Sequence, residues 1–131
     1  MKSIPVIDQL IQKGVRIPNP HSVEIGEEIC IDRIAAQGVV LYAGSKLYGK
    51  ETLICEGARI GYEGPATLVD CHVGPQVALK SGFFQEAVFL KKASCGLGAH
   101  VRQGTIMEEK ASIAHTVGLK HTILFPFVGN R

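Results

Sequence analysis

The chain carries an apolar side chain at nearly every sixth residue between Ile17 and Phe125. Of the 19 positions on this spacing 17 are apolar, whereas a chain that is 46% hydrophobic would place about nine there. Six residues rotate an α-helix through about 240°, so these side chains cannot share a helical face. Six residues of extended backbone make three pleats, so all of these side chains can point to one side. The pattern therefore predicts short strands that repeat every six residues.

A second set of small or β-branched residues follows four positions after the first. Its members in the later part of the chain are Ser81, Ala87, Ala93, Ala99, Thr105, Ala111 and Val117. Both sets lie on one side of an extended strand, so each unit places one large and one small residue inside. Hexapeptide units of this kind are typical of parallel β-helices, in which three units close one coil of about 18 residues. We predict an all-β, single-stranded parallel β-helix of about six coils over residues 15–128. The side chains predicted to be buried include Leu47, Val77, Phe83, Phe89, Val101, Met107, Ile113 and Leu119.

Two members of the repeat, Arg59 and Pro65, are not suited to a core. A register slip of one residue in this region would place Ile54 and Ile60 inside instead. The segment YEGPA would then bulge outward as a turn, because glycine and proline favour turns over continued strand. We expect a loop at this point rather than a second domain.

The first residues follow a different pattern from the rest of the chain. Residues 3–14 predict a short helix with Ser3 as its cap, Pro5 in its first turn and Gly14 at its end. Solenoids need their open ends covered, so we expect residues 1–14 to cap the first coil and residues 15–131 to form the β-helix domain.

Composition narrows the possible partners. The net charge of +2 is dispersed along the chain and forms no basic stripe, which argues against nucleic acid as a ligand. The N-terminus is too polar after Ile7 for a signal peptide, and no apolar run is long enough to span a membrane. The four cysteines show no CxxC spacing, and Cys71 and Cys95 fall on different faces of the predicted coil. We expect free thiols and a cytoplasmic protein.

No motif in the sequence identifies a catalytic residue, a metal site or a cofactor. The five histidines lack a metal-ligand pattern, and His115 and His121 lie one unit apart and therefore on different faces. Surface or interface histidines are the simpler interpretation. Glu108 and Glu109 are adjacent, so on a strand they point to opposite sides and cannot form an acid–base pair.

Two cations, Arg102 and Lys120, lie one predicted coil apart. Like charges about 5 Å apart repel by a fraction of a kcal/mol at a wet surface, so such a pair can persist without any function. The same pair could hold a diphosphate or a sugar phosphate. The spacing alone leaves both interpretations open and favours the solvated pair.

The repeat resembles that of hexapeptide-repeat β-helix proteins, and this resemblance implies a left-handed coil. The segment HVRQGTIMEEKASIAHTVGLKHTIL is similar to the acetyltransferase domain of bifunctional glucosamine-1-phosphate acetyltransferase / N-acetylglucosamine-1-phosphate uridylyltransferases. In that family an arginine in an LRPG-type segment and a lysine one coil later contact the sugar nucleotide. Arg102 in VRQG and Lys120 in VGLK match these two positions. The resemblance thus implies that both residues bind substrate.

The whole chain resembles bacterial UDP-N-acetylglucosamine pyrophosphorylase-related proteins, and the resemblance includes the segments KGVRIPNPHSVEIG, EGPAT and AHTVGLKHTILFPFV. The resemblance places the catalytic histidine and the acetyl-CoA-binding residues past Arg131, and no Gly-rich uridylyltransferase segment precedes the repeats. We therefore expect a sugar-nucleotide-binding fragment without full activity by itself. The alternatives are a structural oligomerisation module and an acetyl-CoA-dependent acyltransferase. The resemblance also implies a homo-oligomer, with a trimer favoured, and the apolar C-terminal segment ILFPFV would leave an open coil end for a partner to cover.

Overall fold

A computed structural model describes residues 4–114 and 117–126. The described chain winds through about six turns of a parallel β-solenoid, with one short α-helix in front. In residues 4–114 and 117–126, sixteen short strands form three parallel sheets. Sheet 1 contains β1 (Glu24–Ile25), β3 (Ser45–Tyr48), β6 (Ala66–Val69), β9 (Gly82–Gln85), β12 (Ala99–Val101) and β15 (Gly118–Leu119). Sheet 2 contains β2 (Val40–Leu41), β5 (Arg59–Ile60), β8 (Ala78–Leu79), β11 (Ser94–Cys95) and β14 (Ser112–Ile113). Sheet 3 contains β4 (Leu53–Ile54), β7 (His72–Val73), β10 (Val88–Phe89), β13 (Ile106–Met107) and β16 (Ile123–Leu124).

The strand order confirms the predicted fold class. Each turn passes once through each sheet, and each strand pairs in parallel with the strand one turn away. In the later turns the register follows the predicted 18-residue coil, since His100 pairs with Gly118 and Val88 pairs with Ile106. Among the described residues no helix is long and apolar enough to cross a membrane.

Corners between strands are turned by residues with left-handed backbone conformation, and their positions set the coil length. After the buried Phe89, Lys92 adopts φ 64° three positions later, and a six-residue unit results. After the buried Phe84, Glu86 adopts φ 48° only two positions later, and the next buried large residue follows after five residues. Because successive large core residues can be either five or six positions apart, the coil does not need a strict hexapeptide repeat.

The predicted slip near the middle of the chain is confirmed. Ile54 and Ile60 are buried, whereas Arg59 and Pro65 are exposed. The chain between Ile60 and β6 forms the expected outward turn, and Arg59 lies over the ring of Tyr62 at 4.3 Å from its centroid.

The prediction that Phe83 is buried is wrong. Phe83 points outward and is half-buried, and Phe84 fills the core with no exposed surface. The reason is that the register slip persists beyond Cys71 and is reversed only at Phe89. Cys71 and Val77 are buried as expected, yet they occupy the small-residue position of their strands, two residues before Val73 and Leu79. The spacings from Leu79 to Phe84 and from Phe84 to Phe89 are five residues each, and these two short spacings restore the original register.

In the last turns the predicted core side chains are more exposed to solvent than the pattern predicts. Met107 is fully buried, but Ile113 and Leu119 are only half-buried. Phe125 is predicted to point inward but is 68% exposed. The inward residue that follows Leu119 is Leu124, five positions later and not six. Phe127 and Val128, the other apolar residues predicted for this end, lie outside the described residues.

The α-helix α1 spans Val6–Lys13 and ends at Gly14, whose φ is 122°. Its Leu10 side chain is fully buried, while Ile4 and Ile11 of the predicted apolar stripe remain exposed. The helix packs against β1 and against a short 3-10 helix, Ile31–Arg33, and the Lys13 ammonium donates to the Ile31 carbonyl at 2.8 Å. A second 3-10 helix spans Pro20–Ser22. The predicted cap residue Ser3 lies outside the described residues, and the division of the chain at residue 14 stays a prediction.

Candidate functional site

The candidate site lies on the outer face of sheet 1, where side chains alternate between core and solvent. In β12, Ala99 and Val101 are buried, while His100 and the following residue, Arg102, are exposed. Outward residues therefore form two rows across the sheet. The first row consists of Glu24, Lys46, Thr67, Phe83, His100 and Gly118. The second row consists of Tyr48, Val69, Gln85, Arg102 and Lys120.

Arg102 and Lys120 occupy neighbouring positions in the second row. The register that pairs Val101 with Leu119 places them on successive turns, and the Arg102 amide donates to the Leu119 carbonyl at 2.7 Å. Lys120 lies in the corner after β15, where the Thr122 hydroxyl donates to its carbonyl at 2.8 Å. The structure thus brings the sequence-predicted pair together on successive turns.

A shallow, open depression of about 220 Å³ lies beside these two residues. Its lining consists of His100, Arg102, Gly118, Leu119 and Lys120. Within the part of the chain that the structure describes, the one salt bridge joins Lys80 to Glu63 at 3.4 Å, and no carboxylate there lies within ion-pair distance of Arg102 or Lys120. The depression is therefore electropositive and open to solvent, which suits a phosphate-bearing ligand.

The first row contributes two features that sequence reasoning missed. The rings of Phe83 and His100 are in contact, with centroids 5.3 Å apart and planes tilted by 49°. Gly118 continues the row directly above His100 and has no side chain to cover it. The incorrect register for Phe83 concealed the ring pair, since an inward phenylalanine could not meet an outward histidine.

A second polar cluster lies between sheets 3 and 1. Glu51, Asp70, His72 and Glu86 line an open depression of about 290 Å³. Arg33 reaches it from the first coil, donates to the Glu51 carbonyl at 3.1 Å and lies 3.5 Å from Nε2 of His72. This cluster is acidic and internally bonded, so it is less suited to an anionic ligand than the depression beside Arg102.

No metal centre emerges from the described residues, where no group of three or more histidine, cysteine or acidic side chains could hold an ion. His100 and His121 are exposed and His72 is half-buried. His115 lies outside the described residues.

The four cysteines are free. Burial raises the pKa of the Cys71 thiol to about 11, and burial together with the nearby Cys71 raises the pKa of the Cys95 thiol to about 12. Thiols held neutral in this way are poor nucleophiles, so they serve as small core residues.

These thiols predict a loss of stability at alkaline pH. In the unfolded chain a thiol ionises near pH 8.5, whereas the folded pKa is about 11 for Cys71 and about 12 for Cys95. The unfolded state therefore releases protons first, and the free energy of unfolding should fall as the pH rises through this window. Urea titrations between about pH 8 and about pH 10 should show this decline. A Cys71→Ala/Cys95→Ala variant should decline less steeply, and an equal decline would contradict the assignment.

Comparison with curated proteins finds several relatives named Bifunctional protein GlmU. The protein from Streptococcus agalactiae serotype V is 31% identical over 118 residues, which covers 86% of this chain. The protein from Thermotoga maritima is 29% identical over 125 residues, or 90% of this chain, and the protein from Carboxydothermus hydrogenoformans is 29% identical over 118 residues. No family model and no solved structure matches.

The similarity covers most of this chain but a limited part of each relative. The chain spans about a quarter of the length of the GlmU proteins, with 23% of the Streptococcus agalactiae protein and 25% of the Thermotoga maritima protein covered. The repeat, the three parallel sheets and this similarity agree with one another. Together they fit a left-handed β-helix hexapeptide-repeat protein that is similar, over most of its length, to part of the proteins named Bifunctional protein GlmU.

Proposed function

We propose that this chain is a sugar-nucleotide-binding β-helix domain of the UDP-N-acetylglucosamine type and that Arg102 and Lys120 contact the phosphates of the ligand. The observation that carries the proposal is the juxtaposition of these two cations, neither of which pairs with a carboxylate of the described residues, on successive turns beside an open depression. The resemblance to acetyltransferase/uridylyltransferase proteins supports it, since an arginine and a lysine at this separation match theirs. The free cysteines are consistent with a cytoplasmic protein.

The two cations suit different parts of a diphosphate. The arginine guanidinium is a planar fork that can donate two parallel hydrogen bonds to one phosphate. The lysine ammonium is a compact charge on a flexible stem that can follow the second phosphate. Both side chains are exposed, so the mutual repulsion that they add to the free protein is small. A phosphate bound between the two side chains would attract both of them and offset their mutual repulsion.

Arg102→Ala should weaken binding of UDP-N-acetylglucosamine by roughly 1.5–3 kcal/mol, the usual cost of losing a hydrogen bond to a charged group. Isothermal titration calorimetry of the wild-type and variant proteins measures this directly. Lys110→Ala is the matched control, because Lys92 and Lys110 form another stacked, exposed pair of cations on successive turns. This control removes the same charge but should leave the affinity nearly unchanged.

Two results would contradict the proposal. If wild-type protein gives no heat with millimolar ligand, the domain does not bind this class of molecule. If Lys110→Ala weakens binding as much as Arg102→Ala, the effect is one of net charge and not of a site.

We further propose that the chain assembles as a homo-oligomer, with three copies favoured by the resemblance. The outer face of sheet 3 supports this, because its central row is apolar through almost every turn. The row consists of Leu53, His72, Val88, Ile106 and Ile123, with Ile123 55% exposed. The corresponding outward row of sheet 2 contains Val40, Arg59, Ala78, Ser94 and Ser112, and only its first member is a large apolar residue. A second copy would present the same row at the same strand spacing, so apolar residues could meet turn by turn.

Ile106→Lys should shift the protein toward monomer, because a charge buried without a partner in an interface is costly. Sedimentation velocity at micromolar concentration reports the change. Ser94→Lys places the same charge on the outer face of sheet 2 and should leave the assembly intact. A wild-type protein that sediments as a monomer would rule out the assembly.

A further inference from the structure

We propose that the contacting rings of Phe83 and His100, left uncovered at Gly118, form a stacking subsite for the base of a nucleotide. The phosphates of that nucleotide would lie on Arg102 and Lys120. This inference rests on the proposed function and specifies its ligand: the site prefers a nucleotide over a phosphate compound that has no base.

The ring pair is built on rigid backbone. His100 lies in the middle of β12, and its amide donates to the Val117 carbonyl at 2.9 Å. Phe83 lies in β9, directly paired with His100 one turn later. The histidine ring is exposed and the phenylalanine ring supports it at 5.3 Å between centroids. Aromatic side chains presented in this way offer a face on which a nucleobase can stack.

Gly118 provides the space that such a base needs. Its φ lies outside the left-handed region, so the backbone there would accept any residue. Among the described residues, a Cβ at this position would meet the His100 carbonyl oxygen alone, at an ordinary contact distance of 3.7 Å. Glycine within a strand lowers stability and is often found where a ligand approaches the backbone closely. The missing side chain leaves the depression open directly above His100.

The spacing of the two rows fits one ligand that contacts both. Two residues of extended strand separate His100 from Arg102, a rise of about 6.6 Å. The ribose of a nucleotide separates its base from its first phosphate by a comparable length. A base on the ring pair therefore brings the phosphates toward Arg102 and Lys120, whereas inorganic pyrophosphate could use the two cations alone.

The test compares UDP with inorganic pyrophosphate by isothermal titration calorimetry on the full chain. Wild-type protein should bind UDP more tightly than pyrophosphate. His100→Ala should weaken UDP binding by about 5- to 150-fold, the range found when a side chain that stacks on a base is replaced by alanine, and leave pyrophosphate binding unchanged. Gly118→Leu should have a similar effect because its side chain fills the space above His100. Thermal unfolding confirms that each variant is folded, and Lys46→Ala, farther along the same outward row, serves as the control.

The outcomes separate this inference from the proposed function. If Arg102→Ala weakens both ligands while His100→Ala and Gly118→Leu leave the UDP-to-pyrophosphate ratio unchanged, the stacking subsite is wrong and the phosphate site stands. The subsite is also wrong if wild-type protein binds UDP no more tightly than pyrophosphate. If His100→Ala weakens glucosamine 1-phosphate as much as UDP, the rings contact a sugar and not a base. If neither UDP nor UDP-N-acetylglucosamine binds, both proposals fall.

Discussion

Phe84→Ala should lower the free energy of unfolding by about 3–5 kcal/mol, the largest effect expected from a core substitution in this protein. Phe84 is fully buried and its ring meets that of Phe89 edge to face, with centroids 5.7 Å apart. Removing the ring leaves a cavity between stacked turns that cannot close, because each turn is hydrogen-bonded to the turns on either side. Urea denaturation followed by circular dichroism measures the change.

Phe83→Ala is the matched control, since it removes the same ring from the adjacent residue of the same strand. Phe83 is half-buried on the outer face and contacts His100, so its loss should cost less than half as much. A Phe83→Ala variant that is less stable than Phe84→Ala would show that the register of β9 is wrong.

Gly82→Ala should destabilise the fold by at least about 3 kcal/mol, although it adds a single methyl group. Gly82 adopts φ 131°, a conformation that other residues rarely reach. A Cβ there would overlap the Ala99 carbonyl oxygen and lie 2.8 Å from the Ala99 nitrogen, both of them backbone atoms of the next turn. The strand pairing of β9 with β12 would have to give way. Thermal unfolding of the purified variant reports the loss.

Gly118→Ala supplies the comparison for Gly82→Ala. Gly118 has an ordinary backbone conformation, and its nearest contact would be at 3.7 Å. Alanine should be tolerated there or should slightly raise stability, because the unfolded chain loses freedom. Similar destabilisation by both substitutions would contradict the backbone conformations that distinguish them.

The repeat alone was enough to predict the architecture. Large residues at six-residue intervals from Phe89 to Met107, with alanines and threonine two residues before each large residue, fit no other regular structure. The predicted 18-residue coil therefore holds in this region, and it correctly places Arg102 beside Lys120. These inferences succeed because the alternation of side chains along a strand depends only on the strand itself. The six-residue pattern therefore continues wherever successive corners have the same length.

Tertiary structure decided the register between Ile60 and Phe89 and, with it, the aromatic part of the site. Phe83 and Phe84 are equally apolar, so the sequence pattern accepts either one inside. Which of the two enters the core depends on whether successive large core residues are five or six positions apart. That spacing is set by corner residues with left-handed backbone conformation, such as Glu86, and the pattern of apolar residues does not reveal them. Only when the turns are stacked does Phe84 enter the core, and Phe83 is then left on the outer face in contact with His100. The sequence determined that the chain coils, and packing between turns determined which side of each strand faces the core and which faces outward.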